Sequence, residues 1–496
     1  MPRNAVVIGS GASGMSAAIT LCKQGWHVLV LEQADRPGGL MGSYRRGQCV
    51  LPTGIHSVGA LGGGQVTRRY LQHLCVWSRI QAVPMAADGF AEFRFPDMSF
   101  VMPASHQAFR GRLLDRFGQQ RLAIDQYLQD MKRTALEFPL YNFSNQPYTG
   151  GKEVGISLQS YLDRLTDDEQ LKRVLSAPNL LYGVEPKECP LFVHFLAVDS
   201  FLQSAWRIGV DKTPLSEAFV EALLCVGGEI RCQARASHFE CREEQLQAVR
   251  LSDGEAIPAD VVVYTGHPKM LPAMCPPGSL RPGYRNRIVT AEDTLGVFGI
   301  MLEWRGRDFP FANRDIFLFS DPCTDEVYRR DLAAAVRAPA VIYCAGSPMQ
   351  GPGVHSAAIL SGTGCGEFSR WSGTVPGRRP ADYCQVKQAL ADRLMSAVCK
   401  HWPQAREEAV LLDSFTPLTF SHYTASPTGS AYGLKKSMSG LRSARVTAKT
   451  RIRNLFLAGQ SVIMPGFLGA LVSGVSAVAA ALEPQSLMEQ IRKETA

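Results

Sequence analysis

A chain of 496 residues exceeds the roughly 100–200 residues of one compact module, so its core must be shared among more than one folding unit. Its 46% hydrophobic and 20% charged residues, with 45 glycines and 30 prolines scattered along it, exclude a disordered, collagenous or low-complexity chain. Lys and Arg number 52 against 45 Asp and Glu, a formal charge of +7 that is too mild for a dedicated nucleic-acid binder, and no nucleic-acid partner is expected.

The first predicted element is the strand Ala5-Val6-Val7-Ile8, which ends at Gly9-Ser10-Gly11-Ala12-Ser13-Gly14 and runs into a helix spaced through Ala18, Leu21 and Cys22. The order strand, glycine turn, helix is the pattern that brings backbone N–H groups to a pyrophosphate. Gly9 makes the tight turn, Gly11 lets the backbone approach, and Gly14 lets helix and strand pack. The helix N-terminus adds the positive end of its dipole. A second strand, Trp26 to Leu31, ends at Glu32, 21 residues past Gly11, where a carboxylate accepts from ribose hydroxyls and disfavours a 2′-phosphate. The glycines of this opening are unsuited to a signal peptide. The 13 cysteines include no C-x-x-C pair and read as reduced thiols, so a cytoplasmic chain without a metal site is expected.

Gln33-Ala34-Asp35-Arg36-Pro37-Gly38-Gly39 adds a basic residue and two glycines just after the acid. Further on, Thr53-Gly54-Ile55-His56-Ser57-Val58-Gly59 forms a second glycine-rich patch, while Gly62-Gly63-Gly64 and Gly351-Pro352-Gly353 lack a preceding strand and argue against a second dinucleotide site. Between His106 and Leu136, Phe109, Leu113 and Phe117 recur on one helical face among Arg110, Arg112 and Arg116, predicting an amphipathic helix broken near Gly118. Such a face either covers a domain or touches a membrane surface. His194, with Phe192, Phe195 and Phe201, is read as packing because no second ligand lies at metal spacing. A helix over Ala218–Leu224 is followed by Gly227 to Arg231 and by the strand Asp260 to Tyr264, then by Gly266-His267-Pro268-Lys269. Near the end, Leu455-Phe456-Leu457-Ala458 is a buried strand that stops at Gly459. Pro465 and Gly466 then open a long helix. The uncharged stretch Ser461–Leu482 nears the length of a membrane span, but its proline and three glycines suit a helix packed inside the protein.

Taken together, these segments resemble the flavoprotein family of amine oxidases, protoporphyrinogen oxidase and phytoene desaturases. The patches Thr53–Gly59, Ser414–Thr419, Ser426-Pro427-Thr428-Gly429-Ser430-Ala431-Tyr432-Gly433-Leu434 and Gly459-Gln460-Ser461 through Gly466-Phe467-Leu468-Gly469-Ala470 are similar to its retinol saturase and carotenoid isomerase branch. The resemblance implies an α/β fold. A Rossmann-type FAD-binding domain would be assembled from residues 1–65, 205–270 and 440–496, and an α+β substrate domain from 66–204 and 271–439. It implies FAD held by Gly9, Gly11, Ala12, Ser13, Gly14, Glu32, Gln33, Arg36, Gly38, Gly39, Leu40 and Met41. Further contacts are implied from His56, Ala236 and Gly266, and from Gly459, Gln460, Gly466, Phe467, Gly469 and Ala470. Pro52 and Gln460 depart from acids common in the family, although a neutral amide still bonds a ribityl hydroxyl.

The expected function is FAD-dependent redox or isomerisation chemistry on C–C and C=C bonds of a hydrophobic polyene, isoprenoid or lipid, with an electron donor or acceptor outside the chain. His56, Tyr423 and Tyr432 are the candidate proton-transfer residues. Two rivals stand beside it: an amine or porphyrinogen oxidase, and a non-catalytic prenyl-binding protein of the Rab escort or GDP-dissociation-inhibitor type.

Overall fold

The computed structural model describes residues 3–143, 155–208, 214–311, 313–321, 328, 331–337, 339–347, 355–364, 366–443, 446–482 and 484–495; the Gly351–Gly353 segment lies outside them. Five parallel strands form the first sheet, in the order Glu229–Arg231, His27–Leu31, Asn4–Ile8, Val261–Tyr264, Leu455–Leu457. Successive side chains on a strand point to opposite faces, and here the two sets enter two different cores. Ala5, Val7, Val28, Val30, Val263 and Phe456 pack under the helices Ala12–Lys23, Leu215–Cys225 and Gly466–Ala481. Val6, Leu31, Val262, Tyr264 and Leu457 pack against an antiparallel sheet of Ala236–Arg242, Gln245–Leu251 and Ala256–Pro258. Each Val or Leu fully buried this way contributes about 1.5–3 kcal/mol.

The first and last long helices cross at Gly474, where a Cβ would stand 2.2 Å from the Ser13 carbonyl oxygen. Ser16 Oγ donates to Leu471 O at 2.8 Å across the same contact. Close approach of the two helices therefore depends on the missing side chain. The helix Gly466–Ala481 has 16 residues, most of them buried, and no described helix is long and apolar enough to cross a membrane.

The second sheet has seven strands, in the order Ala409–Phe415, Gly296–Trp304, His355–Thr363, Val341–Ser347, Asp315–Phe319, Ala91–Arg94, Ser99–Met102; only the pair Asp315–Phe319 with Ala91–Arg94 is parallel. Phe298, Ile300, Leu302, Ile342 and Ile359 turn one face to the helix Ala381–His401 through Leu390, Leu394 and Val398. The opposite face, with Val297, Met301, Phe317, Tyr343 and Leu360, looks into the central cavity.

A helical layer closes the molecule beside this sheet. The amphipathic segment forms His106–Arg116 and Arg121–Glu137 around a short turn at Gly118–Gln120. Phe109, Leu113 and Phe117 are buried in the core shared with Leu191–Gln203, so these three side chains are spent on packing. His194 is fully buried in that layer, its Nε2 bonded to Tyr127 Oη and its Nδ1 to Tyr182 Oη, each at 2.7 Å. Among the described residues no cluster of metal ligands occurs, and every described cysteine is a free thiol.

Candidate functional site

One cavity of about 1820 Å³ runs between the two sheets. At one end its wall is mostly backbone. The helices Ala12–Lys23, Leu215–Cys225 and Gly466–Ala481 begin there at Gly11, Pro214 and Pro465, and none has a side-chain cap. A helix start leaves its first N–H groups without intrahelical partners, so three positive dipole ends meet at this end of the cavity. Gly9 has φ +98°, and a Cβ on Gly14 would stand 1.8 Å from the Gly9 carbonyl oxygen, whereas a Cβ on Gly11 would meet nothing within 4 Å. The turn is thus closed toward the sheet and open toward the cavity, which is the shape a phosphate group requires.

Glu32 is buried at the tip of the second strand. Its Oε2 accepts from Ser10 N at 2.9 Å and Ser10 Oγ at 2.5 Å, and its Oε1 from Ala34 N at 2.9 Å. Two carboxylate oxygens offer about four acceptor sites, so three bonds leave room for a hydroxyl donor. Ser10 Oγ accepts in turn from Gly38 N at 2.9 Å, tying the Arg36–Gly39 turn to the first glycine turn. Ala234 N donates to Glu32 O at 2.8 Å, and Ala236, two residues on, lines the same cavity. Behind the Gly266 turn, burial alone would raise the Asp293 carboxyl. The hydrogen bonds and charges of His267, Lys269 and Thr428 outweigh it and hold the group below its ordinary value.

The structure brings nearly all the expected cofactor residues to this cavity. Gly9, Gly11, Ala12, Ser13, Glu32, Gln33, Arg36, Gly39, Leu40, Met41, Ala236, Gly266, Gly459, Gln460, Gly466, Phe467, Gly469 and Ala470 line it, while Gly14 and Gly38 stand just behind. Gln460 Nε2 donates to Ala431 O at 3.4 Å, and Gly459 N to Ser473 Oγ at 3.0 Å.

Away from the glycine turns the wall changes to side chains. Phe201, Phe317, Leu181, Leu196, Val297 and Leu360 give it an apolar lining contributed by both the second sheet and the helical layer. His56 sits between the two ends, half-buried, its ring edge-on to Tyr343 at 5.9 Å. Burial lowers the His56 imidazole to about 4, with Asp315 opposing and Arg207 assisting the shift. Tyr432 also lines the cavity, and burial pushes its phenol up to about 12. Tyr423 is placed otherwise: 62% exposed, it stands at the rim with His422, Cys384 and Lys387.

Sequence reasoning missed the group behind His56. Arg207 Nη1 donates to His56 O at 3.1 Å and Nη2 to Asp315 Oδ1 at 2.9 Å, and Tyr343 Oη donates to Asp315 Oδ2 at 2.8 Å. One signal was available. In the strand Ala205-Trp206-Arg207-Ile208 the arginine shares the inward phase with Ala205, and a charge at an inward position requires a buried partner. Its identity was not readable, because Asp315 is 108 residues away.

A family profile described as flavin containing amine oxidoreductase matches residues 12–482. The all-trans-retinol 13,14-reductase of Danio rerio is 24% identical over 95% of this chain and 85% of its own length. The lycopene-forming phytoene desaturase of Pantoea ananas is 23% identical over 94% of this chain and 96% of its own. Among solved structures, an oxidoreductase from Methanosarcina mazei superposes with a TM-score of 0.65 at 15% identity, covering 96% of this chain and 99% of its own, a likeness of fold.

Proposed function

The chain belongs to the family of flavin-containing amine oxidoreductases, and from that premise we propose that it is an FAD-dependent oxidoreductase acting on carbon–carbon bonds of an apolar polyene. The observation that carries this reading is the two-ended cavity: uncapped helix starts and an open glycine turn at one end, an apolar channel at the other, with His56 at the junction. The residues present fit FAD. The Gly11 turn and the start of the Gly466 helix would hold its phosphates and ring, Glu32 its ribose, and the Ala236 region its adenine. When bound, FAD supplies a ring that exchanges a hydride with carbon.

The rest of the reaction falls to side chains. Phe201, Phe317 and Leu360 bind and align the polyene and exclude water from it. His56, uncharged at neutral pH, exchanges a proton at the carbon next to the hydride position. Tyr432, with its raised phenol, remains protonated and serves as a neutral donor in the same wall. Tyr423 is assigned no proton transfer, because an exposed phenol at the rim is not screened from solvent. The relatives named above include a reductase of a retinoid and a desaturase of a carotenoid precursor, which supports a conjugated isoprenoid as the substrate class.

Two measurements test the proposal. Purified protein should be yellow and release FAD on acid treatment; a colourless protein would favour the prenyl-binding alternative. Anaerobic incubation of the oxidised and then the reduced holoprotein with all-trans-retinol and with phytoene should give products heavier by two mass units, lighter by two, or isomeric. If both compounds return unchanged while a primary amine is oxidised, the polyene reading fails.

A further inference from the structure

We infer that Arg207, Asp315 and Tyr343 form a positioning network that clamps His56 against the cavity wall with one positive and one negative side chain balanced behind it. The inference rests on the proton role proposed for His56 and names the residues that act through it.

Four segments distant in sequence close into a loop. From the His56 carbonyl the chain of bonds passes to Arg207, on to Asp315 and to the Tyr343 hydroxyl, and the Tyr343 ring returns to the His56 imidazole. Arg207 and Asp315 have side chains only 3% and 2% exposed. Taking two charges out of water costs more than their attraction returns unless further hydrogen bonds complete the pair, and apolar replacements are often as stable or more so. Stability alone therefore does not call for this pair. Two of its further bonds end at the cavity, not in the core. One goes to the loop that carries His56, and another fixes a tyrosine whose ring forms the cavity wall. Arg207 Nη2 also reaches the Phe311 carbonyl at 3.4 Å, and Arg207 Nε is buried without a partner, so the guanidinium is not placed to satisfy all its own donors.

The charged and titratable groups that face His56 from the neighbouring strands are Arg207, Asp315 and Tyr343. The first two act in opposite directions and together leave burial to decide, which keeps the imidazole neutral. Removing one charge unmasks the other: without Arg207 the ring gains a proton more readily, and without Asp315 less readily.

The test uses the full-length holoprotein carrying 13Cε1-labelled histidine, with the His56 resonance assigned by its loss in His56→Gln. In the unsubstituted protein the ring should stay neutral from pH 8 to below pH 5. Arg207→Met should raise its titration by about one pH unit or more, and Asp315→Asn should shift it the other way. Each of these leaves one unpaired buried ion, so the double variant Arg207→Met/Asp315→Leu serves as the folded control, with the ring between the two extremes. Tyr343→Phe keeps both charges; it should retain FAD and lower kcat toward all-trans-retinol or phytoene about tenfold, with little change in KM. The double variant His56→Ala/Tyr343→Phe should then be no slower than His56→Ala. Unchanged His56 titration in every variant, or additive losses from His56→Ala and Tyr343→Phe, would overturn the inference. Normal turnover in His56→Ala with the titration shifts intact would remove the proton role and leave the network standing.

Discussion

At the glycine-rich end of the cavity the wall is made of peptide groups, drawn from glycine turns and from the uncapped starts of three helices. At the apolar end it is made of side chains, one or two from each of several antiparallel strands and helices. A backbone wall tolerates almost no added atoms, because its geometry is the binding group. A wall of side chains tolerates changes of shape but not of polarity. The two ends should therefore respond differently to substitution.

Gly14→Val should have the largest effect. Its side chain would begin 1.8 Å from the Gly9 carbonyl, and the turn can yield only by opening. We expect loss of bound FAD and destabilisation above about 3 kcal/mol, read from the flavin absorbance of the purified protein and its thermal melt. Retained FAD would mean that the turn is not the phosphate site.

Next is Glu32→Ala, which strips the acceptor from Ser10 N, Ser10 Oγ and Ala34 N. Each buried donor left unpaired costs about 1–3 kcal/mol. FAD affinity should fall at least about tenfold, as each 1.4 kcal/mol lost is a factor of ten, in a titration of the apoprotein followed by flavin fluorescence.

Leu360→Arg probes the other end. A cation in the apolar channel should leave FAD binding within about twofold while polyene turnover falls by about a hundredfold or more, since an isolated charge is poorly tolerated among apolar groups. Equal loss of both would contradict the division of the cavity into two regions.

Two histidines with lowered values predict a pH dependence. His194 is lowered to about 3 and His56 to about 4, in both cases first by burial. A histidine whose folded value lies below its unfolded value of about 6.5 stabilises the fold above that value and ceases to do so as pH falls. For fully buried His194 the slope is about 1.4 kcal/mol per pH unit below about 6.5. The thermal midpoint should be level between pH 8 and 7 and fall between 6.5 and 4.5; a flat profile there would refute it.

Tyr423→Phe should matter least. At 62% exposure on the rim, loss of its hydroxyl should change stability by less than about 0.5 kcal/mol and turnover by less than about twofold. A larger loss of turnover would return Tyr423 to the chemistry.

The contrast between the two ends also explains what could be read in advance. The glycine turn, the second strand and Glu32 lie within one short stretch, so spacing alone carried them. The last strand and helix were legible from Leu455-Phe456-Leu457 and Pro465-Gly466 because each element bears its own start and stop signals. The antiparallel sheet of Ala236–Pro258 was not anticipated. The membrane-facing reading of His106–Leu136 could not be separated from packing, because an apolar stripe carries no mark of what covers it.

From the amino-acid order alone came the glycine turn, the acid that follows it, and the likeness to flavoproteins, all of them local patterns whose physics is complete within a few tens of residues. Only folding decided which strands meet across the cavity, that Tyr423 lies in solvent while Tyr343 faces His56, and that Arg207 finds Asp315. Those facts depend on side chains brought together from distant segments. The pairing of one charged residue with another across the interior leaves no trace in the spacing of either.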